Sequence, residues 1–126
     1  MSVTFQITID EDFLRLDVSG EYTPGKVAEE AINIWARTAD ACREHNKSRV
    51  LMVNDVAGEM PTIDAYEIAR NPPEIGWDHR VKVALVYKHK ERFESNLFTE
   101  TVAVNRYLNV KAFQDEPNAI SWLLGT

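Results

Sequence analysis

Most of what marks a sequence for a specific chemistry is missing from this one. It has a single cysteine, Cys42, so no intrachain disulfide can form. A lone thiol fits a reducing, cytoplasmic setting. No Lys/Arg-rich block occurs, and the net charge is −6. That argues against nucleic acid or an anionic membrane as the main partner. Apolar runs such as "VALVY" are far shorter than a bilayer span. The opening "MSVTFQITIDED" lacks a basic region followed by an apolar core, so no signal peptide is expected. Neither G-x-x-x-x-G-K-[ST] nor G-x-G-x-x-G is present. The histidines, His45, His79 and His89, show no i, i+3 or i+4 pairing, so helical zinc spacing is absent and no metal or cofactor is expected. No Cys–His or Ser–His–Asp set can be assembled from spacing, which points away from an enzyme.

What is present is regular. A length of 126 residues suits one domain, 1–126, with a proper core, and nothing in it reads as a linker or repeat. "VTFQITI" alternates, with Val3, Phe5, Ile7 and Ile9 on one side and Thr4, Gln6 and Thr8 on the other. After the acidic turn Asp10–Asp12, "FLRLDVSG" alternates again through Leu14, Leu16 and Val18. The two runs predict an antiparallel hairpin. Its polar side, with Thr4, Gln6, Thr8, Arg15 and Asp17, suits solvent and compels no edge-to-edge dimer.

Thr23 before Pro24 predicts a helix N-cap. Val27, Ala31, Ile34, Trp35, Thr38 and Cys42 then keep helical spacing. "RVLMV" reads as a central strand buried on both faces. A helix from about Ile63 ends at "NPP", because a residue before proline avoids helical geometry. "RVKVALVY" is a fourth strand. A third helix places Phe93, Leu97, Thr101, Val104 and Leu108 on one face. "VKAF" (Val110 to Phe113) is a short fifth strand, and Asp115 is the expected cap of a last helix. The order β-β-α-β-α-β-α-β-α predicts an α/β fold, an N-terminal hairpin leading into a mostly parallel five-stranded sheet with four helices and right-handed crossovers.

The runs "SGEYTP", "RVLMVND", "RVKVALV", "ETVAVNRYLNVKAF" and "DEPNAISWL" together resemble the STAS-like proteins, the superfamily of anti-sigma-factor antagonists and sulfate-transporter tails. The chain looks most like their small stand-alone bacterial members of unknown function, related in name to SEC14-like proteins. The resemblance spans nearly the whole chain and rests on soft motifs. It implies a sheet with sequential strand order, and a Ser or Thr phosphoacceptor opening the helix after the third strand. Thr62 is the nearest match. Around it the chain reads "MPTID", where the switch proteins carry an Asp–Ser–Ser–Gly-like sequence.

The candidate site is therefore a binding or regulatory loop. Asp55 ends the central strand, at the edge where open α/β sheets take ligands; its plainer role is to satisfy N–H groups of its own turn. Gly58 supplies backbone freedom in the same loop. Thr62 is first a helix cap, and second a phosphoacceptor that the helix dipole would favour. Asp64 would oppose a phosphate there by like-charge repulsion. Trp77, in "PPEIGWDHR", is either a partner-facing aromatic or a lid on the sheet edge. The expected function is non-enzymatic partner binding or self-association. The alternative is a small ligand (lipid, nucleotide or anion) at the C-terminal strand edge.

Overall fold

The structure, a computed structural model, describes residues 3–57, 63, 64, 67, 80–94, 97 and 109–125. Five strands form one sheet: β1 (Thr4–Ile9), β2 (Leu14–Ser19), β3 (Arg49–Asp55), β4 (Lys82–Tyr87) and β5 (Asn109–Phe113). Their spatial order is β1-β2-β3-β4-β5, the same as their order in the chain. β1 and β2 pair antiparallel, from Thr4↔Ser19 to Ile9↔Leu14. β2, β3, β4 and β5 are mutually parallel.

The helical runs are α1 (Val27–Glu44), α2 (90–94, with Leu97 also helical) and α3 (Glu116–Leu124). The expected count of four is not matched among the described residues. Ile63, Asp64 and Glu67 have helical backbone where a helix was expected, but the residues between and after them fall outside the described set. Thr101, Val104 and Leu108 lie outside it too. Of the residues expected on one face of that helix, Phe93 packs against the core and Leu97 is 43% exposed.

The start of α1 corrects a second expectation. Thr23 is not its N-cap: the helix begins at Val27 and its first position is preceded by Lys26, which makes no side-chain cap. Pro24 and Gly25 form a turn instead, closed by the Lys26 N–H donating to the Thr23 carbonyl (2.9 Å), with Gly25 at φ +80°. A positive φ at this glycine stops helical geometry from reaching back to Thr23. Thr23 is still tied to the helix, because its N–H and hydroxyl both donate to the Glu30 carboxylate (2.6 and 3.2 Å). At the other end Asn46 takes φ +53°, and Lys47 N–H reaches back to the Cys42 carbonyl (2.8 Å). That is a left-handed helix stop with asparagine in the usual glycine place. α3 is capped as expected, with Asp115 accepting from the Asn118 N–H (2.9 Å) and Gly125 left-handed at the end.

The monotonic strand order has a geometric consequence. Right-handed crossovers that all step in one direction lie on one face of the sheet. That face holds the larger core: Leu14, Leu16, Val18, Val50, Met52, Val83, Leu85 and Tyr87 meet Ile34, Ala39 and Cys42 of α1, and Phe93 of α2 packs against them. The opposite face is covered by α3, where Ala119 and Leu123 sit on Leu51, Val53, Ala84 and Val86. α3 packs on β3, β4 and β5. The same side of β1 and β2 carries Thr4, Gln6 and Thr8, all exposed, and the half-buried Arg15 and Asp17. Arg15 stands at the border and binds both Asp17 (3.0 Å) and Glu116 of α3 (2.8 Å).

Candidate functional site

β3 reads "RVLMVND" and is buried from Val50 to Asn54. Alternation along a strand sends Val50, Met52 and Asn54 to the α1 side, and Leu51, Val53 and Asp55 to the α3 side. Asn54 is thus buried at the end of the apolar run, where its amide oxygen accepts from the Val56 N–H (2.9 Å). Its carbonyl accepts from the Lys88 N–H (3.0 Å), which prolongs the β3–β4 ladder by one step. Asn54 therefore satisfies one N–H of the turn, at Val56.

Asp55 makes a contact across the sheet. The parallel register sets Asn54 beside Tyr87. Beyond this pair both strands leave the core, and Asp55 at the end of β3 meets His89, two residues past Tyr87. His89 Nε2 lies 2.8 Å from Asp55 Oδ1, with the two side chains 35% and 52% exposed. The other imidazole nitrogen, Nδ1, faces Glu91 Oε1 at 4.0 Å. The ring is flanked by carboxylates on both nitrogens.

Behind this exposed pair is a buried cation. Arg92, on the first turns of α2, donates from Nη2 to the Ala57 carbonyl (3.2 Å) in the loop that follows Asp55. Its guanidinium lies over the Tyr22 ring, 5.7 Å from the centroid. Only 4% of Arg92 is exposed. Burial lowers its pKa from the ordinary arginine value, opposed by the electron-rich Tyr22, Tyr87 and Glu91 around it. Burial also pushes the Tyr22 hydroxyl up; Arg92 works against that shift and Glu30 adds to it. Arg92 thus braces the loop after β3 against the segment before α1. Three chain segments far apart in sequence are held together at the C-terminal end of the parallel strands.

Of the residues singled out from sequence, Asp55 lies in this cluster. Asp64 is helical and half-buried. Gly58, Thr62 and Trp77 lie outside the described residues. His89 and Arg92 were missed. The available signal was positional: each follows "VALVY", the apolar run of the strand beside β3, by a few residues. Cys42 is buried, and burial pushes its thiol up to about 11. Lys111 sits within β5, exposed. Among the described residues no group of three or more His, Cys, Asp or Glu is placed to hold a metal ion, and no helix is long and apolar enough to cross a membrane.

No protein-family model matches the chain, and no curated protein matches it.

Proposed function

We propose that this chain is a non-enzymatic STAS-like binding module that engages a protein partner through the C-terminal edge of β3 and β4. The observation that carries the reading is the exposed Asp55–His89 pair, presented by two adjacent strand ends and braced by Arg92. A fixed donor–acceptor pair on a rigid edge suits recognition, since little side-chain freedom is lost on binding. The STAS-like assignment is supported by the antiparallel start, the sequential strand order and the crossover helices gathered on one face. A cytoplasmic setting fits a chain whose one thiol is buried.

Two features favour recognition over the other readings. Crevices for small ligands in open α/β sheets form where the strand order reverses. This order runs without reversal. An acid–base site would need the imidazole to face a nucleophile or substrate; here both ring nitrogens face carboxylates.

The test is capture of partners from the native host by wild-type chain, Asp55→Ala, His89→Ala, and a control altered elsewhere, Lys111→Ala. The reading expects a protein retained by wild type and the control and lost by both edge variants. Identical capture by all four would overturn it. Thr62→Glu against Thr62→Ala, in the same assay, reads whether charge at the family's phosphoacceptor position alters that binding. A small anion that binds the wild type and needs Asp55 or His89 would favour the ligand alternative.

A further inference from the structure

The outer edge of β1 is unlike the other edge of the sheet. β5 carries an exposed lysine, Lys111, the usual device against unwanted strand pairing. β1, "TFQITI", has no charge, no proline and no glycine. Its pairing with β2 runs through six consecutive partners without a bulge. Sheet edges are normally blunted by at least one of these features.

The ladder also fixes which backbone groups point outward. Asp10 N–H donates to the Phe13 carbonyl (3.0 Å), closing the hairpin. Hydrogen-bonded pairs alternate along an antiparallel ladder, so Thr8, Gln6 and Thr4 bond inward to β2. Phe5, Ile7 and Ile9 direct their N–H and C=O groups away from the sheet. Their side chains lie on the α1 side, where Phe5 and Ile7 pack against the core and Ile9 is 40% exposed.

We infer that β1 pairs antiparallel with β1 of a second copy of this chain, joining two sheets into one of ten strands. The register follows from face matching. A slip of one residue turns every side chain to the wrong face, so a residue must oppose a residue of the same parity. Centring the two-fold axis on Gln6 opposes Gln6 to Gln6 of the second copy. Phe5 then meets Ile7, Thr4 meets Thr8, and Val3 meets Ile9. All outward N–H and C=O groups find partners, the apolar side chains extend one stripe, and Ile9 is covered. No like charges oppose each other along the seam, in a chain whose net charge is otherwise −6. That charge pattern favours a second copy over an acidic or basic partner strand. One strand pair buries less than the roughly 1,200 Å² of a stable complex, so the dimer is weak and concentration-dependent. It does not involve the Asp55–His89 surface, which lies two strands away.

Sedimentation velocity of the full chain over a range of concentrations reads this directly. The wild type is expected to shift from monomer toward dimer as concentration rises. Gln6→Lys and Gln6→Glu each place like charges face to face and should weaken the dimer at least tenfold. Gln6 is exposed, so both should keep the wild-type circular dichroism; it stands opposite Asp17, so Gln6→Glu should melt slightly lower and Gln6→Lys should not. Mixing the two variants in equal amounts should restore dimer, as only the hetero-pair sets opposite charges together. Asp55→Ala should dimerise as the wild type does. A wild type that stays monomeric to its solubility limit would overturn the inference. So would a dimer indifferent to Gln6→Lys, or charge variants that fail to pair when mixed.

Discussion

Asp55 and His89 are separated by a whole crossover in sequence and by 2.8 Å in space. Asp55 is the last residue of β3 and His89 stands two residues past the end of β4, and the parallel register of the two strands makes them neighbours. The pair is exposed, and exposed ion pairs contribute about 0–1 kcal/mol. Asp55→Ala should therefore change the stability measured by urea unfolding by less than about 1 kcal/mol. A larger loss would mean that the pair is part of the fold and not a presented surface.

Arg15 joins the open and covered halves of the α3 face. Its hydrogen bond is the main reason the Glu116 carboxyl titrates below its ordinary value of 4.5, against a smaller opposing effect of burial. A carboxylate depressed in the folded state adds stability above its unfolded value, and that stability is lost as pH falls through the folded value. Wild type should exceed Glu116→Gln in stability above about pH 5, and the two should converge on acidification below 4.5. Melting both proteins across that range checks the sign. A gap that widens toward acid would exclude the linkage.

Cys42 sits on the buried stripe of α1, and its thiol is held neutral well above physiological pH. The thiolate is the reactive form. A thiol reagent at neutral pH should label the native chain far more slowly than the urea-unfolded chain, with the labelling midpoint tracking the unfolding midpoint. Fast labelling of the native state would contradict the packing.

α3 separates two kinds of contribution. Leu123 is fully buried against β3 and β4, and large-to-small changes at such sites cost about 2–5 kcal/mol. Asp115 caps the helix and accepts a second bond from the Asn118 side chain at the exposed helix end, and losing a cap costs about 1 kcal/mol. Urea titrations of Leu123→Ala and Asp115→Ala should rank in that order. Equal losses would mean that α3 is held by its end and not by its face.

The strands were legible because each carries its burial in its pattern. Period two marked β1 and β2, where one face meets solvent, and unbroken apolar runs marked β3 and β4, buried on both. The apolar run of β3 stops at Val53, and the backbone ladder carries the strand on through polar Asn54 to Asp55, the strand-end carboxylate. The Thr23–Pro24 pair misled. Local chemistry fits a cap, but Gly25 in a left-handed turn decides where helical geometry can begin. At the site, Asp55 was visible as a strand-end carboxylate. His89 and Arg92 were not, because their neighbours are set by register across a crossover, and no short-range pattern encodes that.

The order in which the elements emerge has a consequence for synthesis. Leu51, Val53, Ala84 and Val86 belong to strands that precede α3, and among the described residues α3 supplies the helical cover for that face. Until residues 116–124 have been added, a nascent or prematurely terminated chain presents this apolar strip to water. Such intermediates are prone to aggregate. Chains cut before Glu116 should depend on chaperone capture for solubility, whereas chains carrying α3 should not.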